Sequence, residues 1–412
     1  MAEQQKLKRT LGLAECIFFG VGSILGAGIY AILGKVAGFG GNMLWLGFAI
    51  ASLTALMSAF SYAELSSMFP GAGGEYIYAR KAYNKKIAIL LGFLIAMNGI
   101  VSAATVSLAF AGYFSGLLAL NETIAALGIL ALMFSVNIIG IRQSSVVNII
   151  FTLIEAAGIV LVVITAAPHI GEVNLTELPP AGINGVLLAA ALSYFAFIGF
   201  EEIVKLGKET KNPERTIPRA LFAASFIVMI LYIIVTICAV SAMPWQDLAA
   251  SDSPLADVVA LKYGQTGLII VSVIALFSTS NTILSNMLGS SRVLLEAGGE
   301  NTWMKKLAFV SKTTKTPIYA LILIFIVAAL FSLIGNLSIV ALIANLFIFV
   351  TFLFVNIAVI VLRVKQPEEE RPYRIPFTVG KVPLPSLIGV LMTLLLLGYT
   401  IYGLIIGTNT EM

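Results

Sequence analysis

The chain has 412 residues, of which 59% are hydrophobic and 11% charged, with a net charge of +4 and a mean hydropathy of +0.99. Soluble domains run at about 25% charged and about 45–50% apolar, so lipid rather than water is the solvent this composition suits. The small positive charge follows membrane topology, with no basic patch for nucleic acid. One histidine and two cysteines make no metal cluster and no disulfide framework.

A membrane-crossing helix needs about 20 mostly apolar residues. Eleven such stretches follow in chain order, at 13–35, 42–64, 87–118, 122–140, 143–166, 183–205, 217–242, 266–296, 317–335, 337–362 and 385–407. Segments of about 10 residues with alternating polarity, the mark of a membrane barrel, are missing. The first apolar run is too long for a cleavable signal and reads as a permanent helix. The expectation is an all-α polytopic membrane protein formed by one transmembrane domain over 1–407.

Lysine and arginine collect in cytoplasmic loops. With the N-terminus inside, Lys6, Lys8 and Arg9, Arg80 to Lys86, Arg142, Lys205 to Arg219, Arg292 to Lys315 and Arg363 to Lys381 all fall on the inner side. Lys35 and Lys262 alone fall outside, where the loops carry Glu172, Glu177, Asp247, Asp252 and Asp257. Eleven spans put the C-terminus outside and the protein in the cell membrane. His169 reads as a solvated loop residue.

The first span contains "GVGSILGAGIY", residues 20–30, with glycines at 20, 22, 26 and 28. Each costs a helix interior about 1 kcal/mol relative to alanine. The spacing is wrong for a nucleotide fingerprint, and no strand precedes it. Taken alone, the run divides between close helix packing of the G-x-x-x-G kind and a deliberate helix break. The sixth span holds "SYFAFIGFEE", residues 193–202, in which Gly199 stands three residues before the end. Irregular backbone survives at membrane depth only where it is buried in protein or lines a cavity, and broken helices at matching positions of two repeats mark transporter binding sites. At such a break the freed N–H groups suit a carboxylate, and the freed carbonyls suit an ammonium.

Several segments together resemble the amino acid–polyamine–organocation (APC) permeases. "GSILGAGIY" (22–30) resembles the family's first-helix signature, with Ala27 in place of a small hydroxyl residue. "SYAELSSMFPGAGGEYIYARKAY" (61–83), "FAFIGFEE" with "KETKNPERTIPRA" (195–202 and 208–220) and "RPYRIP" (371–376) follow in family order. The resemblance implies the leucine-transporter fold, an inverted repeat of five plus five helices (13–166 and 183–362) with one further helix at 385–407. It implies an alternating-access permease, not an enzyme and without a cofactor, that moves amino acids by proton symport or exchange, the alternative cargo being a polyamine or other organic cation. The substrate carboxylate would meet the backbone of Gly26, Ala27 and Gly28, and the ammonium the carbonyls of Ile24, Phe195 and Ile198 beside Gly199, with Phe195 also at the position of an aromatic gate. Relatives usually carry twelve spans, whereas one apolar run follows "RPYRIP" here.

Ionisable residues inside spans are functional candidates, because burying them costs several kcal/mol unless they are paired or protonated. Glu155, in mid-span, is a candidate proton carrier, cation ligand or structural hydrogen-bond partner. Glu201 follows the sixth-span break and would carry a coupling proton or pair with Lys205. "FSTSNTILSN" (277–286) is a polar seam whose Ser278, Thr279, Asn281 and Thr282 would line the cation or proton site or bond back to their own helix. Glu64, Glu75, Arg80, Glu209 and Arg215, at the inner ends, read chiefly as solvated charge, the alternative being a conformational gate of ion pairs.

Overall fold

A computed structural model describes residues 9–70, 74–118, 120–139, 145–300, 306–311, 314 and 316–410, with side chains left undescribed at 145–149, 296–300 and 407–410. Lys6, Lys8, Arg142, Lys305, Lys312, Lys315 and the Gly71 to Gly73 part of the second motif lie outside the described residues.

The first expected span is two helices, α1 (Leu13–Leu25) and α2 (Gly28–Gly40), parted at Gly26 and Ala27. They are followed by α3 (Leu44–Met68), a short α4 (Gly74–Ala82), α5 (Lys85–Leu118), α6 (Glu122–Ile139) and α7 (Ser145–Ala166). The sixth expected span is also divided. Helix α8 (Gly182–Ser193) passes into a 3₁₀ turn at Tyr194–Phe197, and beyond Ile198 and Gly199 a 3₁₀ helix covers Phe200–Lys208. Then come α9 (Pro213–Ala242), a short α10 (Trp245–Ala250), α11 (Pro254–Glu300), α12 (Ile318–Ser332) and α13 (Leu337–Lys365). A two-stranded antiparallel hairpin, β1 (Thr378–Val379) and β2 (Val382–Pro383), leads into α14 (Leu384–Thr410).

Nine helical stretches among the described residues are long and apolar enough to cross a membrane. Helices α1 and α12 are shorter, at 13 and 15 residues, and at about 1.5 Å per residue neither spans a hydrocarbon core of about 30 Å alone. Eleven full crossings therefore do not follow from helix length. Helix α11 starts twelve residues before the expected 266, because a helical turn from Pro254 continues through Gly264, whose φ of +56° interrupts it.

The core lies where the broken helices cross the bundle. Gly26 to Val36 are nearly all buried, as are Ser193 to Phe197. Aromatic rings close around them: Phe197 packs on Tyr232 of α9 (centroids 5.2 Å apart), and both pack on Phe48 of α3 (6.4 and 5.9 Å). The bundle has two ends, a near end where α1 starts and a far end where α2 stops. At the near end the chain before α1 hydrogen-bonds to the segment after the 3₁₀ helix, through Thr10 and Leu11 N–H to the Glu209 carbonyl (2.9 and 3.0 Å) and Lys211 N–H to the Leu11 carbonyl (2.8 Å). The near halves of both broken helices are thus bonded to each other.

Glu64 and Glu75 depart from the solvated reading. Glu64 is 1% exposed and takes Arg363 Nε on Oε1 (2.8 Å), Arg363 Nη2 on Oε2 and the Ile375 N–H on Oε2 (2.9 Å), with Arg371 Nε 3.3 Å from Oε1. This clamp pins "RPYRIP" onto α3, aided by the Tyr373 N–H donating to Ser67 Oγ (3.1 Å). The buried Glu75 accepts from Tyr62 OH on Oε1 (2.9 Å). Burial pushes its carboxyl above the usual carboxylate range, and nearby Lys205 opposes that shift. His169 lies on the surface and pairs with Glu172 at 3.1 Å.

Candidate functional site

The break in the first span comes from its glycines. Gly26, at φ 2° and ψ −145°, leaves the helical region while its N–H still donates to the Gly22 carbonyl (3.1 Å). A Cβ on Gly26 would lie 2.9 Å from Thr282 Oγ1, and one on Gly28 would lie 2.6 Å from Ala196 Cα. Carbon atoms prefer about 3.5–4.0 Å, so glycine at 28 is what lets the two spans touch backbone to backbone. Gly199 has the same role from the other side. Its φ of +123° is one that side chains avoid, and a Cβ there would stand 2.4 Å from the Ser23 carbonyl oxygen. The two breaks face each other.

The backbone groups set free are unequally satisfied. The Ala27 N–H donates to Thr282 Oγ1 (3.1 Å), whose own hydroxyl donates to the Ser278 carbonyl (3.0 Å). Gly28, Ile29 and Tyr30 open α2, and the first N–H groups of a helix have no acceptor within it. They give the break a positive end that suits an anion. On the other side, the carbonyls of Ile24 and Leu25 end α1 and both accept from Tyr232 OH (2.8 and 3.3 Å). Each carbonyl oxygen has a second lone pair. Ile198 is extended, at φ −62° and ψ +132°, and continues the gap on the sixth-span side. Phe195 is 5% exposed in the 3₁₀ turn before it.

The expected coupling residues divide into three groups. Glu155 is 2% exposed in α7, and its Oε1 has no hydrogen-bond partner among the described residues. Ser278 interacts with it from α11, although its hydroxyl completes no hydrogen bond either. The Glu155 backbone carbonyl accepts from Tyr30 OH (3.0 Å), which ties α7 to the start of α2. Glu201, 4% exposed, turns back on the break and accepts the Gly199 N–H on Oε2 (2.8 Å). The expected pairing of Glu201 with Lys205 is corrected: Lys205 pairs with Glu202, both on the more open flank of the 3₁₀ helix. A 3₁₀ helix has three residues per turn, so 202 and 205 eclipse each other while 201 faces inward. Within the seam, Thr282 reaches the break, whereas Thr279 donates to its own Ala275 carbonyl (2.7 Å). Asn281 is part-buried on the same helix.

Sequence reading missed Tyr30, Tyr232 and Ala196. Each is an unremarked residue inside an apolar span, and the only signal was that a buried tyrosine hydroxyl needs a partner. Here both partners are carbonyls, one released by the break itself.

Similarity to known proteins runs along most of the chain. A family model described as "Amino acid permease" matches residues 11–410. The branched-chain amino acid permease BcaP of Bacillus subtilis is 28% identical over 395 residues, covering 90% of this chain and 85% of that protein. A methylthioribose transporter of the same organism is 30% identical over 407 residues, covering 93% and 87%. Cationic amino acid transporter 9 of Arabidopsis thaliana is 30% identical over 318 residues, covering 71% of this chain and 55% of that one. With the all-helical membrane architecture and a family match over nearly its whole length, the chain belongs to the amino acid permease family and is an integral membrane transporter, not an enzyme.

Proposed function

We propose that this permease holds the head group of an α-amino acid at the meeting of its two helix breaks and carries it by alternating access. The observation that carries the reading is the paired close approach of Gly28 to Ala196 and Gly199 to Ser23. The substrate carboxylate lies against the backbone around Gly26, Ala27 and Gly28, where it takes the Ala27 N–H over from Thr282 Oγ1 while the Gly26 N–H stays on the Gly22 carbonyl. The ammonium lies against the carbonyls of Ile24, Phe195 and Ile198, with Phe195 closing over the substrate. No charged side chain is needed for either contact.

Glu155 and Glu201 are the coupling groups. A buried carboxylate without a counter-charge is stable only with a proton or cation on it, and Glu155 Oε1 lacks a hydrogen-bond partner among the described residues. Ser278, Thr279, Asn281 and Thr282 flank this path on α11. The near end is cytoplasmic, since it gathers the basic residues, and the far end with the C-terminus faces outward across the cell membrane. The halves 13–166 and 183–362 rock against each other, and 385–407 is peripheral.

Uptake of labelled amino acids into proteoliposomes, with and without a pH gradient, tests this. Accumulation driven by an inward proton gradient supports symport, and uptake that needs internal amino acid supports exchange. The panel includes a polyamine and a neutral thioether sugar, because one relative is named for methylthioribose transport. Uptake of these without any amino acid would replace the head-group reading.

A further inference from the structure

Between the Glu64 clamp and α14, the chain folds into the β1–β2 hairpin at the near end of the bundle. A lone two-stranded hairpin is marginal in water, and this one is tied down along one side. Arg363 Nη1 donates to Thr378 Oγ1 (2.9 Å), Arg363 Nη2 to the Ile375 carbonyl (3.3 Å), and the Leu384 N–H to the Phe377 carbonyl (2.9 Å). Side chains alternate across a strand, so Thr378 faces the clamp while Phe377 and Val379 face away from it. Those two are 75% and 65% exposed. Phe377 also has a φ of +57°, in the left-handed region that a residue with a Cβ enters under strain. Asn212 is the one other non-glycine residue at positive φ among the described residues, and asparagine tolerates that region. The hairpin therefore holds a large apolar ring outward in a conformation the residue does not favour.

The level of this face shows what covers it. The apolar part of α14 runs over Leu384–Ile406, 23 residues, which is about 34 Å at 1.5 Å per residue against a hydrocarbon core of about 30 Å. Leu384 thus stands where the hydrocarbon ends, and its bond to Phe377 holds the hairpin at that level. Leu384, Leu387, Ile388 and Leu391 are all exposed, so Phe377 and Val379 continue the apolar surface that α14 turns to lipid. A second copy of the chain would need about 800 Å² from each partner, far more than two side chains offer. The polar part of the hairpin is basic. Between positions 374 and 384 the charged residues are Arg374 and Lys381, both exposed, with no carboxylate. The nearest acids in sequence, Glu368, Glu369 and Glu370, precede Arg371 and the clamp. Apolar side chains at the acyl boundary with Lys and Arg beside them are the means by which a surface segment binds anionic lipid.

We propose that the hairpin inserts Phe377 and Val379 into the leaflet at the near end and binds the headgroup of an anionic phospholipid through Arg374 and Lys381. Thr378 and Ile375 are tied to Arg363, and Arg363 to Glu64, so the lipid site is joined to α3 and α13. The site is independent of the cargo and of the coupling ion.

The test uses the full chain in nanodiscs, with Val379→Cys carrying a bimane label. Cys16 and Cys238 are buried, and protein without the added cysteine gives the labelling background. The discs are phosphatidylcholine with a small fraction of either phosphatidylcholine or phosphatidylglycerol bearing a nitroxide on its acyl chain. Both nitroxide lipids quench the label and aqueous iodide does not. The phosphatidylglycerol form is the more effective quencher by about fivefold for each cation engaged, and Arg374→Gln with Lys381→Gln brings the ratio of the two to near one. Glu369→Cys, on the exposed turn before the clamp, is the water-facing control, quenched by iodide. Iodide quenching at 379 equal to that at 369, equal quenching by the two lipids before the charges are removed, or a lipid preference that survives the double substitution overturns the site. A label shielded from both quenchers in discs that hold two chains assigns the face to a second copy and overturns it as well.

Discussion

Gly28→Ala tests how the break is built, because two well-defined effects oppose each other there. In an ordinary helix, replacing glycine by alanine stabilises by about 1 kcal/mol. At 28 the new methyl would stand 2.6 Å from Ala196 Cα and 3.2 Å from the Ala196 carbonyl oxygen. Restoring a carbon–carbon contact of about 3.5 Å moves the 3₁₀ turn and α2 apart by nearly 1 Å. Overpacking of this kind costs about 1–3 kcal/mol, and the obstacle is backbone, which cannot rotate aside. The net effect is a loss of stability, not a gain. A misplacement near 1 Å at a binding constellation costs about a hundredfold in turnover. Thermal unfolding in detergent and initial uptake rates in proteoliposomes read both effects. Gly128→Ala is the control, since a Cβ there meets nothing within 4 Å, and it is expected to be neutral or mildly stabilising. A Gly28→Ala protein that is as stable as wild type and transports at the same rate would refute the close approach.

Other outcomes follow from the same contacts. Thr282→Val strands the Ala27 N–H and, at about 1–3 kcal/mol for an unsatisfied buried donor, lowers the stability of the substrate-free protein, read as an unfolding temperature in detergent. Thr279→Val, which removes only a bond to its own helix, has a much smaller effect. Glu155→Gln and Glu201→Gln flatten the pH dependence of gradient-driven uptake while exchange persists, as measured by paired uptake and exchange assays; unchanged profiles in both remove them as coupling groups. Glu64→Gln leaves Arg363 buried beside a neutral amide and lowers stability by about 3–5 kcal/mol, read as an unfolding temperature in detergent. Glu75 titrates in the opposite sense from a paired carboxylate. Its folded carboxyl is shifted upward by burial, so its contribution is full below the unfolded pKa and falls as pH rises toward the folded value. Glu75→Gln therefore raises the unfolding temperature at neutral pH, and the gain disappears on acidification to about pH 4.

What was legible in the sequence follows the strength of local constraint. Glycines at 22, 26 and 28 weaken a helix whatever surrounds them, which narrowed the first break to 22–28, and Gly199 marked the neighbourhood of the second. Glu155 was legible because a charge in a 16-residue apolar run has few uses. The contacts that complete the site were not, because they join residues more than two hundred positions apart. Tyr232 reaches Ile24, and Thr282 reaches Ala27. Charge at the near end was misread for a related reason. Glu64 and Arg363 each look solvated in their own segment, and only the return of α13 beside α3 puts them together in the dark. The exchange of Glu202 for Glu201 as the partner of Lys205 came from helix type: a period of 3.6 aligns 201 with 205, whereas the 3₁₀ period aligns 202.

In the reading proposed above, backbone groups exposed at the two helix breaks recognise both charges of an amino acid head group. Competition binding of the transported amino acid against its decarboxylated amine and its N-acetyl derivative tests it most directly, because neither analogue alters the side chain. Each lost charge-assisted contact costs about 1.5–3 kcal/mol, so each analogue should bind about ten- to a hundredfold more weakly than the parent. Equal competition by the amine and the parent would contradict the claim.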